Sequence, residues 1–511
     1  MAIGRTYSVA LLGLDGSIVE VEADISSNLP SIVLIGLPDA ALTEARDRVR
    51  AAAANSGCPL TGRKLTVNLS PAALPKHGSG FDLAIALASL AAAGNVSADS
   101  VEAVVHLGEL GLDGRLRPMA GILPAVLAAA RAGKDAVMVP AGNADEASLV
   151  PGIRVLPVAS LREAAIHHGG RYDPIPVDPL IPGIEPDGVG SESDVADIVG
   201  NDAAVHALSI AAAGGHHAFL LGPPGAGKTM LAERLPGLLP DLGEQAALEA
   251  TSIRSLAGQH VGGQLVIRPP WEAPHHTATA AAIIGGGSGR IRPGAAVRAS
   301  HGVLFLDEAP EFATAVLDVL RQPLESGRIT IHRANGVAHF PGRFQLVMAA
   351  NPCPCGQYGA PEDTCTCSPS ARRRYLGRVS GPLMDRIDIR LTLHRVTATQ
   401  LRLADGAARP NTATARVRVR EAREAARERL RSTPWTMNGQ VSGPWLRDRV
   451  RRLGPNTTAS LDRALERGGI TMRGYDRTLR LAWTVADVEG AARPNAEHIG
   501  AALYLRRGMS P

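Results

Sequence analysis

Gly222-Pro-Pro-Gly-Ala-Gly-Lys228-Thr229 is the stretch on which the reading of this 511-residue sequence turns. It fits G-x-x-x-x-G-K-[ST] at Gly222, Gly227, Lys228 and Thr229, with Pro223, Pro224, Gly225 and Ala226 between them. Glycines let backbone N–H groups approach phosphates closely. Lys228 would supply charge to the β and γ phosphates of ATP, and the Thr229 hydroxyl is placed for Mg2+. The apolar run Ala218-Phe-Leu-Leu ahead of the loop reads as a short buried strand, and residues 229–235 as the start of a helix. That flanking context favours a phosphate cradle over a purely structural glycine-rich turn.

Two more apolar runs follow and end in polar residues. Val303-Leu-Phe-Leu carries Asp307 and Glu308 to what would be the C-terminal edge of a sheet, where ligands of open α/β sheets bind. Asp307 there would position Mg2+, and Glu308 would activate the attacking water. Residues 344–350 end at Asn351, whose amide can hold that water or the γ-phosphate; alone it would read as a turn residue. A strand–loop–helix with later apolar strands points to a parallel α/β sheet.

The length suggests about three domains. With 45% hydrophobic and 20% charged residues the composition is that of a globular protein, and 3% aromatics means aliphatic cores. No apolar stretch is long enough to span a bilayer, and residues 1–17 lack the layout of a secretory signal, so a cytoplasmic location is expected. The net charge of +4 hides an asymmetry. From Ala371 onward there are 28 Arg, no Lys and 13 acidic residues, a net of +15, leaving −11 for residues 1–370. Such a basic third suggests a polyanionic partner such as DNA, the alternative being a solvated Arg-rich surface.

Closely spaced prolines at residues 172–195 read as an extended linker. Before it, residues 1–171 mix strands (17–23, 31–36, 136–140) with helices (40–54, 82–93), an α/β domain. After it, residues 196–400 hold the P-loop sheet, opened by a helix over 197–213. Residues 401–511 are helical, notably the Arg/Glu-rich 412–431. Within the core domain, residues 327–340 place two β runs around Asn335-Gly336, a strong hairpin signal. Cys353-x-Cys355 and Cys365-x-Cys367 can wrap a structural Zn2+, although C-x-C is tighter than the commoner gap; reduced thiols without metal are the alternative.

Taken together these residues resemble the ComM/YifB family of magnesium-chelatase-like AAA+ proteins over nearly the whole chain. The resemblance rests on Ala211-Ala-Ala-Gly-Gly-His-His through the P-loop, Ala273-Pro-His-His-Thr277, and His301-Gly-Val-Leu-Phe-Leu-Asp-Glu. It continues in Ala350-Asn-Pro-Cys-Pro-Cys-Gly356 and Ser380-Gly-Pro-Leu-Met-Asp-Arg-Ile-Asp388. It implies that Arg386 is an arginine finger for a neighbouring subunit's nucleotide and Arg473 a sensor-2 arginine of a helical lid, with Glu308 and Asn351 as catalytic partners. It also implies a homo-hexamer. The 327–340 hairpin resembles the pre-sensor hairpin of this branch, making His332 and Arg333 candidates for DNA contact; a plain surface hairpin is the alternative.

Residues 108–121 and 129–140 resemble the Lon-protease domain, of ribosomal S5 domain 2-like fold. Gly80 stands where Lon has its serine, with Ser79 one place off, and Leu123 stands where Lon has its lysine. A serine nucleophile needs an adjacent base, so proteolysis is disfavoured. The expected function is an ATP-driven motor on single-stranded or branched DNA, as in branch migration during recombination or natural transformation, with recombination proteins as further partners. The alternative is a chelatase motor driving metal insertion into a porphyrin. Against it stand the absence of a D-x-S-x-S motif and the expectation that such motors lack the Lon-like domain.

Overall fold

Along Asp15–Ser26 the side chains of Val19, Val21, Ala23 and Ile25 are buried, the period-2 pattern of a strand with one face on a core. The computed structural model describes residues 3–508 apart from 28, 37–38, 73, 75, 77, 182, 184–192, 288–290, 334–335, 360–364, 404–408 and 451–452. It pairs this strand antiparallel with Gly4–Leu12 and with Lys64–Ser70. The sheet has seven strands in the order Ser31–Ile35, Lys64–Ser70, Asp15–Ser26, Gly4–Leu12, Val105–His106, Ala136–Pro140, Arg154–Val158. All pairings outside the two antiparallel ones are parallel. Helix Asp82–Ala92, made of Ala, Leu and Ile, packs on the two longest strands with nearly every side chain buried. Strand Gly4–Leu12 is a finding beyond the sequence reading; its hairpin turns at Gly13, which takes φ +67°.

The second sheet is wholly parallel, in the order Trp271–Glu272, Val303–Leu306, Gln345–Ala350, Ala218–Leu221, Ile389–Thr392. Val303–Leu306 and Gln345–Ala350 are buried at every position, as expected of strands covered on both faces. Each such buried aliphatic side chain contributes roughly 1.5–3 kcal/mol. Strand Ile389–Thr392 was not legible in advance, because Arg390 interrupts its short apolar run; it lies beside the P-loop strand. The helix expected over 197–213 starts at Asp202 instead. Gly200, at φ +72°, breaks the chain after the short 3-10 turn Val195–Asp197.

Helices Thr412–Leu430, Pro455–Glu466, Met472–Val488 and Ala496–Arg507 form the C-terminal part. They share one core with the sheet: Val419, Leu479, Leu481 and Trp483 cluster with Ala207, Leu208, Ile210 and Leu220. The N-terminal unit is also docked. Gly121 N–H donates to Ser255 O at 2.9 Å, and Leu11 and Leu12 pack against the cluster containing Ala338 and Phe340. Residues 172–181 are neither helix nor strand, as the prolines demand; most of the remaining linker lies outside the described residues. Among the described residues no helix is long and apolar enough to cross a membrane.

Candidate nucleotide site

Parallel pairing brings the C-terminal ends of three strands into register: Leu221 faces Ala350, and Leu306 faces Met348. The residues that follow each strand therefore meet. Gly225 and Gly227 take φ of +77° and +81°, where a Cβ is strained, and so shape the loop that hands the chain to helix Lys228–Glu233. Lys228 Nζ donates to Gly222 O at 2.7 Å, to Pro223 O at 3.1 Å and to Asn351 Oδ1 at 2.9 Å. Burial pulls its ammonium below the usual lysine range, while Asp307 and Glu308 oppose that shift. Thr229 Oγ1 donates to Asp307 Oδ2 at 2.7 Å, and Glu308 N–H donates to Asp307 Oδ1 at 2.8 Å.

Thus Lys228, Thr229, Asp307, Glu308 and Asn351 are gathered at one sheet edge. A hydroxyl and a carboxylate side by side are hard oxygen donors of the kind Mg2+ prefers, so Thr229 and Asp307 fit that ion. Glu308 sits in the left-handed region at φ +51°, uncommon for a residue with a Cβ. His276 Nδ1 lies 3.2 Å from its carboxylate. His276 belongs to Ala273-Pro-His-His-Thr277, and the sequence offered no role for it. A cavity of about 200 Å3 adjoins the loop glycines, lined by Ile198, Val199, Leu231, Leu393 and Val396 with Asp197 and Asn201. An apolar slot beside a phosphate cradle suits a flat base.

Arg386 and Arg473 lie elsewhere, and together. Arg386 is only 8% exposed; it donates to Pro382 O at 2.6 Å and pairs with the Glu325 carboxylate. Arg473, in the first turn of Met472–Val488, is half exposed and reaches the same Glu325 oxygen at 3.5 Å. Behind them Arg477 donates to Asp388 Oδ1 and to Arg386 O, both at 2.7 Å, and Arg506 donates to Ile387 O at 2.8 Å. Against the upward push of burial, Arg477 and His216 hold the Asp388 carboxyl well below the usual carboxylate range. Glu325, Asp388 and Arg477 were given no role from the sequence, because each is one charged residue among several nearby and its partner is distant in the chain.

Strands Arg328–Arg333 and Gly336–Pro341 form the expected hairpin. His332 is exposed on it; the Arg333 side chain and residues 334–335 lie outside the described residues. The four thiols of Cys353, Cys355, Cys365 and Cys367 lie within 4.8 Å of one another, with Sγ···Sγ distances of 3.3, 3.7 and 3.7 Å among the first three. Tetrahedral zinc thiolates have an edge of roughly 3.8 Å, so the set fits that ion. The Gln357 backbone N–H, followed by neighbouring thiols, lowers the Cys355 pKa, while Cys365 and Cys367 in the same cluster are raised, so the thiols are coupled to one another. The knuckle touches the P-loop: a Cβ on Gly356 would meet Pro224 at 2.7 Å.

In the N-terminal unit Ser79 Oγ donates to the Glu109 carboxylate. Lys76 is buried with Nζ on Pro71 O at 2.5 Å, and Leu123 is fully buried. Gly80 is crowded: a Cβ there would meet Met119 Cε at 2.6 Å.

Family models described as magnesium chelatase subunit ChlI match residues 194–401 and 21–143, and one for the ChlI C-terminal part matches 409–506. Because the chelatase description extends over 21–143, the N-terminal unit does not by itself set this chain apart from such subunits. An uncharacterized protein of Mycobacterium tuberculosis is 50% identical, covering 99% of both chains. Competence protein ComM of Haemophilus influenzae is 37% identical over 99% of this chain and 98% of its own. YifB of Escherichia coli is 36% identical over 99% and 97%. Lon protease of Mycolicibacterium smegmatis is 31% identical over 156 residues, 29% of this chain and 20% of that protein. With its mixed α/β N-terminal unit, parallel P-loop sheet and C-terminal helices, the chain belongs to the ComM/YifB family of magnesium-chelatase-like AAA+ proteins.

Proposed function

We propose that the protein is an ATP-hydrolysing ring motor that acts on DNA. The observation that carries the ATPase reading is the convergence of Lys228, Thr229, Asp307, Glu308 and Asn351 on one sheet edge. Lys228 binds the β and γ phosphate oxygens, and Asn351 orients the water. His276 holds Glu308, whose carboxylate takes the water proton as the water oxygen bonds to the γ-phosphorus and the bond to the β–γ bridging oxygen breaks. Mg2+, held by Thr229 and Asp307, would supply charge neutralisation across the phosphates. Zn2+ on the four cysteines would clip the loop after Asn351 against Pro224. Arg386 acts on the nucleotide of a neighbouring subunit, which requires a ring, with a hexamer as the expected assembly; Arg473, expected as the sensor-2 arginine of the lid, is assigned to the same nucleotide because it shares Glu325 with Arg386.

DNA as substrate is supported by the competence protein among the relatives and by the exposed hairpin residue His332. The arginine excess supports it less than composition suggests. Arg423, Arg477 and Arg506 are committed to backbone carbonyls or Asp388 inside the fold, while Arg373, Arg374, Arg418 and Arg420 remain exposed. The experiment is strand exchange on a synthetic four-way junction. Exchange that needs hydrolysable ATP and is lost in Glu308→Gln supports the reading; ATP hydrolysis without exchange or DNA binding at low salt sinks it. The second reading, a chelatase motor, is favoured by the family-model descriptions. ATP-dependent magnesium insertion into a porphyrin would establish it instead.

A further inference from the structure

We infer that Glu325 is the positioning residue that holds Arg386 and Arg473 as one unit for the neighbouring subunit's nucleotide, an inference that rests on the shared-site reading above. Two guanidiniums side by side repel. The structure places a single carboxylate between them: Glu325 pairs with Arg386 and lies 3.5 Å from Arg473. The rest of the cluster is rigid. The backbone of Arg386 and Ile387 is gripped by Arg477 and Arg506 from two C-terminal helices, and Arg477 is anchored on buried Asp388. The Arg386 guanidinium is held between Pro382 O and Glu325, Arg473 reaches the same carboxylate from the exposed side, and Glu325 is their common partner.

Glu325 itself is half exposed, at 48%, so its ionic role is not explained by a need to neutralise a buried charge of its own. Its place in the chain adds a second consequence. It lies in the helical turn Pro323–Ser326, and Gly327 leads directly into hairpin strand Arg328–Arg333. Only Ser326 and Gly327 therefore separate Glu325 from the base of the hairpin.

A carboxylate that only positions transition-state donors alters kcat and spares ATP binding. Glu325→Gln, nearly equal in volume, should lower kcat about tenfold with KM for ATP within about twofold, and Glu325→Asp, which keeps the charge, should recover part of the loss. Subunit mixing then locates the effect. Lys228→Ala subunits mixed with Arg386→Ala subunits should regain activity, since intact halves meet at some interfaces. Glu325→Gln should complement Lys228→Ala in the same way and fail to complement Arg386→Ala. Complementation of Arg386→Ala by Glu325→Gln, an unchanged or raised kcat, or a loss expressed only in KM would overturn the inference. If the Lys228→Ala and Arg386→Ala mixture itself stays inactive, the shared-site reading has failed rather than the role of Glu325.

Discussion

Two turns in this chain run through glycines into a helix, Gly78-Ser-Gly80 before Asp82–Ala92 and Gly225-Ala-Gly227 before Lys228–Glu233. In the second, the residues on and around the turn remain directed at one another: Lys228 at Asn351, Thr229 at Asp307. In the first, the described side chains of Lys76, Ser79 and Asp82 are tied up. Asp82 is clamped by Arg48 at 2.6 Å, Ser79 by Glu109, and Lys76 is buried on a carbonyl. What differs is the sheet. The P-loop strand pairs in parallel with the strand that delivers Asn351, and the next strand beyond that one delivers Asp307 to the same edge. In the N-terminal unit the residue that the Lon-like resemblance puts in place of a base is Leu123, which is fully buried. Chemistry follows what the neighbouring strands deliver, not the turn itself.

The largest expected effect breaks the stronger side of that comparison. Lys228→Ala removes the only cation bridging the loop and Asn351 among the described contacts, and ATPase activity should fall by on the order of 10^3. A loss under tenfold, measured by steady-state phosphate release, would mean the site is misread. His276→Ala comes next. Its contact to Glu308 orients a base, so kcat should drop about tenfold with nucleotide affinity unchanged; isothermal titration with a non-hydrolysable analogue separates the two. An unaffected kcat would leave His276 a bystander. The double variant Cys365→Ser/Cys367→Ser should lose one zinc per chain by metal analysis and lower ATPase a few-fold, because the knuckle leans on Pro224. Equal zinc in both proteins would refute the metal site. Ser79→Ala should do least: ATPase within about twofold of wild type, and no casein cleavage before or after the change. ATP-dependent cleavage abolished by that variant would erase the contrast between the two turns.

The nucleotide site was readable in the sequence because its parts are local signals: a loop with fixed spacing, and two apolar runs ending in Asp307-Glu308 and Asn351. Periodicity and apolar runs located six of the twelve described strands in the two main sheets for the same reason. Contacts made across the fold were not readable. Glu325 lies sixty-one positions from Arg386 and has no motif around it, and the grip of Arg477 on Asp388 spans eighty-nine. Strand Ile389–Thr392 was hidden because a half-buried Arg390 broke its apolar pattern. Composition was blind to such contacts as well. It counted arginines without seeing that Arg423, held on Ala212 O with burial pulling its pKa to about 10, works inside the fold.

If the gathered residues drive a motor on DNA, as proposed, DNA must change the rate of ATP hydrolysis. The most direct measurement is ATP hydrolysis at low salt with and without single-stranded or branched DNA, in wild type and Lys228→Ala. Wild type should hydrolyse ATP several-fold faster with DNA than without it, and Lys228→Ala should show no hydrolysis under either condition. Hydrolysis indifferent to DNA, with no DNA binding detected in the same buffer, would contradict the proposal.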